Sequence, residues 1–160
     1  MHISEGVLSG PVLAGGWALS AVGVGLGLKR LDYDRLMTVA ILSAAFFVGS
    51  LIHVPIGPVS AHLILNGLLG AILGPAAFPA ICVALLLQAV LFQYGGLIVL
   101  GINTFDMGFP AVACACLFGS LLRGTGTGRT VGAFGSGSGS VLAAALLTAG
   151  AVGLSGGGMV

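Results

Sequence analysis

Charge is the scarcest thing in this sequence. Its 160 residues hold five Lys/Arg and four Asp/Glu, 6% in all, where a soluble domain carries about 25%. So few charges cannot cover a surface that faces water, which excludes an ordinary soluble domain. The net charge is +1 and no basic run occurs outside short loops, so nucleic acid is not an expected partner. No basic segment precedes the first apolar stretch, and that stretch is too long for a secretory signal, so the N-terminus is read as mature. Catalytic signatures are also missing. There is no G-x-x-x-x-G-K-[ST], no H-E-x-x-H and no Ser/His/Asp set in a nucleophile context. No catalytic residue and no bound cofactor is expected. The three cysteines, Cys82, Cys114 and Cys116, fall in apolar stretches. Cys114 and Cys116 are two apart, which on a helix turns them to different sides and argues against a shared metal.

What the chain has instead is grease and glycine: 58% hydrophobic residues, 29 glycines and a mean hydropathy of +1.19. This reads as an all-α integral membrane protein, a single transmembrane domain in the lipid bilayer, since a spanning helix needs about 20 mainly apolar residues. About six spans are expected, at roughly 8–28, 36–52, 62–73, 80–100, 109–122 and 131–154. Between them lie "KRLDYDR" (29–35), "HVPIGPVSAH" (53–62, a loop or broken helix), "GPAAFP" (74–79, a turn), "GINTFDMGFP" (101–110, a polar interruption) and "RGTGTGR" (123–129). The last span is weakened by "GSGSGS" (135–140).

Placing the N-terminus outside puts Lys29, Arg30, Arg35, Arg123 and Arg129 all on the cytoplasmic side, as the positive-inside rule requires. The expected location is therefore the inner (plasma) membrane. The opposite face receives His2, Glu5, His53, His62 and Asp106. Three imidazoles on one side suit a late first-row transition metal, with a carboxylate available to orient a ligating ring. Position 2 adds a chelate. The amine of Met1, the backbone nitrogen of His2 and the His2 ring can form adjacent rings on one ion. His62 or His53 can close a tetragonal plane of the kind that suits Ni(II) and Cu(II). Asn103 and Asp106, in the polar interruption, are expected in the wall of this site, because irregular backbone at membrane depth must be buried or line a cavity. The blander reading of the histidines is a polar terminus and two loop ends that hydrogen-bond broken backbone.

Several motifs then resemble one family. "MHISEG", "HVPIGPVSAHL", "GLLGAILGP" and "LLLQAVLFQYGGLIVLGINTFDMG" are similar to the start and central stretch of the CbiM/NikM family, the substrate-binding membrane subunits of cobalt and nickel energy-coupling-factor transporters. The resemblance runs from position 1 to about 110 and is thinner beyond. It implies Co(II) or Ni(II) as transported ligand, held by Met1, His2 and His62, with His53 as an alternative ligand or supporting group and Glu5 beside them. It implies a transmembrane coupling subunit (CbiQ/NikQ-like), cytoplasmic ATPases (CbiO/NikO-like) and a small accessory membrane subunit (CbiN/NikN-like) as partners, with no ATP hydrolysis in the chain itself. Family members carry a further C-terminal helix, so the end at "GLSGGGMV" implies a short variant, a helix supplied by a partner, or a truncated sequence. Two rivals remain open. A vitamin-type substrate subunit would need a larger aromatic pocket, against one tryptophan (Trp17) and two tyrosines (Tyr33, Tyr94) here. A structural or assembly subunit would carry its histidines incidentally.

Overall fold

The computed structural model describes the backbone at 2–56, 59–62 and 65–156, with no side-chain description at 2 and 53–62. The first described element is a two-residue strand, β1 (His2–Ile3), and helix α1 (Gly10–Lys29) follows, with Pro11 in its first turn, where a missing N–H is harmless. A 3-10 turn over Tyr33–Arg35 leads into α2 (Leu36–Gly49). Asp32 caps that turn, its carboxylate accepting from the Asp34 N–H at 3.1 Å.

The stretch expected as a loop or broken helix is instead a pair of antiparallel strands, β2 (His53–Ile56) and β3 (Val59–His62). Val54, Ile56 and Val59 favour extended backbone, and the "GP" between the strands carries a turn signal in the sequence. The order in the sheet is β1-β3-β2. A mainly helical membrane protein thus carries, among the described residues, one small sheet.

Helix α3 (Asn66–Leu73) starts later than the expected third span, and Gly74 stops it with φ 56° and ψ −131°, a conformation open to glycine. After a 3-10 turn (Gly74–Ala76), α4 (Ala77–Phe92) ends at Gln93 in the left-handed region. This is eight residues short of the expected end at 100. The polar interruption is also no interruption. Helix α5 (Leu100–Leu117) runs straight through 101–110, with Asn103, Thr104, Asp106 and Pro110 all buried. A one-turn helix α6 (Gly119–Leu122) leads to α7 (Thr127–Leu154), which is unbroken through "GSGSGS".

α5 is the axis of the bundle, with α1, α3, α4 and α7 packed around it. Its closest approach to α1 needs glycine: a Cβ on Gly101 would enter Trp17, and one on Gly16 would enter Ile102. The chain reverses at Gly74. Asn66 and Gly70 meet Met107 and Ala111 of α5 in ascending order. α4 then starts beside Gly27 of α1, through Pro75 and Pro79, and the chain reaches Glu5 by Gly96. α7 runs against α5, with Gly139 beside Cys114 and Thr148 beside Asp106.

Polarity is inverted relative to a soluble protein. Ser20, Asn66, Gln88, Asn103, Asp106, Ser140 and Thr148 are buried, while Leu19, Val22, Leu26, Leu142 and Leu146 are exposed. Three runs, Gly10–Lys29, Leu100–Leu117 and Thr127–Leu154, are long and apolar enough to cross a bilayer, and the run Asn66–Phe92 matches them in length and composition but turns back at Gly74. In lipid, helices associate through close packing and interhelical hydrogen bonds. Here the Asn66 carboxamide donates to the Met107 carbonyl at 3.3 Å and accepts from the Ser140 hydroxyl at 3.1 Å, joining α3 to α5 and α7. Ser20 ties α1 to the Gly101 carbonyl of α5, and Ser43 ties α2 to the Ala80 carbonyl of α4.

The two ends of the bundle differ in kind. One collects the links at 30–35, 74–76 and 118–126, where Arg35 donates to the Ile72 carbonyl and Arg123 lines a groove with Gly70 and Gly74. All five Lys/Arg lie in or beside these links. The small sheet lies at the other end.

Candidate functional site

The site is a matter of register. His2 lies opposite Ser60 and Ile3 opposite Val59; across the other ladder His53 lies opposite His62 and Pro55 opposite Ser60. Directly opposed residues share a face of the sheet, and so do residues two apart along a strand. Positions 2, 53 and 62 therefore share one face, together with 55 and 60. The ladder sets positions 53 and 62 as nearest neighbours, and position 2 on the diagonal from 62, about 7–8 Å away. Met1 lies outside the described residues.

The backbone polarity of this sheet can be followed strand by strand. Pro55 has no N–H, so its pair with Ser60 is of the non-hydrogen-bonded kind. Ser60 then turns its N–H and C=O away from β2 toward β1. By the same alternation His2 faces β3 with its amide and carbonyl, and Ile3 faces away. What Ile3 faces is Asn103. The Ile3 N–H donates to Asn103 Oδ1 at 2.9 Å, and Asn103 Nδ2 donates to the Ile3 carbonyl at 3.2 Å. The Ile3 side chain is fully buried against Leu8, Val99 and Ile102.

Two further ties hold the N-terminal segment. The Glu5 carboxylate accepts from the Ile98 N–H at 3.0 Å, and the Ser9 N–H donates to the Ser155 hydroxyl at 3.1 Å. The Trp17 indole N–H donates to the Ile98 carbonyl at 3.0 Å, so Ile98 is held on both sides. Gly96, with φ 131°, passes so close to the Glu5 carboxylate that a Cβ there would collide with it. Sequence reasoning named Glu5 and Asn103 but missed Ile98, Trp17, Ser9 and Ser155. None of these four carries a local signal, because each tie joins residues about 80 to 150 apart.

Asp106 lies one helical turn beyond Asn103 on α5. Its Oδ2 accepts from the Thr148 hydroxyl at 3.1 Å, tying α5 to α7. It also lines a groove of about 300 Å³ between α1, α5 and α7 whose other walls are apolar, among them Val12, Gly16, Ile102 and Leu146. Among the described side chains, no group of three or more His, Cys, Asp or Glu is gathered for a metal. The three histidine side chains and Met1 fall outside that description.

Fold and site together define a multispan helical membrane protein whose N-terminal strand is built into a histidine-bearing sheet at one end. Comparison with known proteins agrees. The chain belongs to the CbiM family, described as the cobalt uptake substrate-specific transmembrane region, whose model matches residues 2–159. A Haemophilus influenzae protein provisionally named as a metal transport protein is 51% identical over 123 residues, covering 77% of this chain and 60% of its own. The fused nickel transport protein NikMN of Rhodobacter capsulatus is 38% identical over 123 residues, covering 72% of this chain and 35% of its own. The crystal structure of a truncated transition metal transporter superposes with a TM-score of 0.83 at 32% identity, over 96% of this chain and 75% of that one. The chain thus spans 60% or less of the length of these two curated relatives.

Proposed function

We propose that this chain is the substrate-binding membrane subunit of a cobalt- or nickel-uptake transporter, capturing Co(II) or Ni(II) at the sheet. One observation carries the reading. The register sets His2, His62 and His53 on one face of a three-stranded sheet whose first strand is the N-terminus itself. Neutral imidazoles and an amine are donors that Ni(II) and Co(II) accept. The ion is held by the Met1 amine, the His2 backbone and ring nitrogens, and His62. His53, opposite His62, supports or replaces it. A metal-bound amide nitrogen has lost its proton, so chelation through the His2 amide requires that nitrogen to leave the β1–β3 ladder. Binding displaces protons, and affinity rises with pH.

The gathering of all five Lys/Arg at the far end supports a cytoplasmic placement of that end. It follows that the sheet and N-terminus lie outside a plasma membrane. The fused relatives, named NikMN and CbiMQ, support partners of the N and Q kinds for this chain, an accessory membrane subunit and a coupling subunit. ATP hydrolysis belongs to further, cytoplasmic subunits, and the chain itself is no enzyme.

The test is calorimetric titration of the purified chain with Ni(II) and Co(II), in buffers of different ionisation enthalpy. Tight binding with proton release is expected. His2→Ala, or one extra residue before Met1, should weaken it by about a hundredfold or more, roughly 2.8 kcal/mol. An extended protein that binds as tightly as the native one overturns the N-terminal chelate.

A further inference from the structure

We infer that Asn103 is the positioning residue of the N-terminal strand, and that it works by taking the place of a fourth strand. The inference rests on the sheet being the metal site. β1 has two edges. β3 takes one. On the other, the N–H and C=O of Ile3 meet no strand but the Oδ1 and Nδ2 of Asn103. A carboxamide carries one acceptor and one N–H donor group, as a peptide unit does, so this side chain completes the ladder that the sheet itself lacks. Both bonds are buried, and water does not compete for them.

The leverage comes from geometry. Asn103 stands in the first turn of α5, its own N–H bonded to the Val99 carbonyl, and Gly101 beside it packs on Trp17. The helix is a rigid mount. Consecutive Cα atoms are about 3.8 Å apart, so fixing Ile3 through its buried side chain and both backbone groups leaves His2 little room. The side chain of Ile3 anchors the segment in depth, while Asn103 selects the register. No other residue type fits the task. Aspartate has no N–H for the Ile3 carbonyl and sets a negative oxygen against it. Leucine fills the volume with neither group. Glutamine is one methylene too long.

Loss of the grip lets β1 leave the sheet. Apparent affinity then falls by the fraction of molecules still closed, which makes the role measurable apart from the metal chemistry. The experiment compares the full chain with Asn103→Asp and Asn103→Leu in detergent micelles. Ni(II) and Co(II) affinities come from calorimetry, and amide exchange of the N-terminal peptide is followed by mass spectrometry without metal. Asn103→Leu should bind about 10–100-fold more weakly, the usual effect of removing a supporting partner, and Asn103→Asp less so. Exchange of the N-terminal amides should accelerate in the same variants and in the same order. Faster exchange at unchanged affinity overturns the positioning role, as does weaker binding at unchanged exchange. Unchanged exchange and affinity overturn the grip itself. Where Asn103→Leu does not fold, Asn103→Asp decides alone. A native chain that binds neither metal overturns the metal reading, and exchange in the variants then still decides on the grip.

Discussion

The two ends of the bundle are built on opposite rules. At the end that carries Lys29, Arg30, Arg35, Arg123 and Arg129, the links are short and the charges stand on the exposed surface; side-chain bonds there are local or weak, such as Asp34 to Asp32 and Arg35 to Ile72 at 3.3 Å. At the sheet end, charge is nearly absent and the backbone is stitched together by bonds between distant residues: Ile3 to Asn103, Glu5 to Ile98, Trp17 to Ile98, Ser9 to Ser155. The difference teaches how a membrane protein can hold a precise site with few polar groups. On the proposed reading, charges that only set orientation need no fixed geometry, whereas a chelate made from a chain terminus needs its free end held in place. An end that merely lay on the surface would fray.

The largest contrast between histidines should appear inside the sheet. His62→Ala should cost about a hundredfold in Ni(II) affinity, roughly 2.8 kcal/mol. His53→Ala should cost less than about tenfold, because position 53 is opposite 62 but lies a strand further from β1. Titration of both variants checks this. Equal losses would make the two histidines equivalent ligands and move the centre of the site to the β2–β3 ladder, away from the N-terminus.

Between the two ends runs the polar seam of α3, α5 and α7, and it separates folding from binding. Thr148→Val removes the hydroxyl that donates to Asp106. The loss should be about 0.6–1.7 kcal/mol, the range of interhelical hydrogen bonds in membranes, read from the midpoint of unfolding in detergent. Metal affinity should stay within twofold or so. A large drop in affinity instead would tie Asp106 to the ion and extend the site one helical turn down α5.

Much of this layout was legible in the sequence, and the exceptions have physical causes. The charges could be divided between two ends because alternating spans carry successive links to alternate ends. Asn103 and Asp106 were noticed but placed in an interruption, since polar residues in an apolar run look like a break. Their spacing of three is a helical one, and buried partners on other elements (Ile3 and Thr148) satisfy them inside α5. The strands at 53–62 were hidden by Pro55, which suggests broken backbone until its non-hydrogen-bonded pairing with Ser60 is known. The end of α4 at Phe92 was missed although Gly95 and Gly96 follow it closely. What no local pattern carries is the set of ties between residues about 100 apart, and those hold the N-terminal strand to the bundle.

A smaller effect should follow from Glu5. Its carboxylate accepts from the Ile98 N–H, so Glu5→Gln, which keeps an oxygen there, should change affinity by less than about twofold, and Glu5→Ala by a few-fold. A single exposed bond to a charged group contributes no more than about 1.5–3 kcal/mol when fully formed, and water replaces much of that here. The sole tryptophan reports on the same place, because Trp17 holds the other side of Ile98. Its emission should shift in Glu5→Ala and not in Glu5→Gln. Gly96→Ala, which would push a methyl group into the carboxylate, should shift it in the same direction as Glu5→Ala. An affinity loss in Glu5→Gln as large as in His62→Ala would make the charge itself part of the metal site.

The smallest effect belongs to the far end. Arg35 donates one exposed 3.3 Å bond to the Ile72 carbonyl, and surface contacts of this sort contribute about 0–1 kcal/mol. Arg35→Gln should therefore leave Ni(II) affinity unchanged within error and move the unfolding midpoint little. The variant is informative because nothing at the sheet depends on it directly. Arg35 reaches α3 near its last turn, and α3 is joined through Asn66 to α5 and α7, the helices that carry Asn103 and Asp106 on one side and Thr148 on the other. A measurable change in metal affinity in Arg35→Gln would mean that the two ends are mechanically coupled along this path. Any partner pressing on the charged links would then have a physical route to the sheet, and unaltered affinity would leave the ends independent.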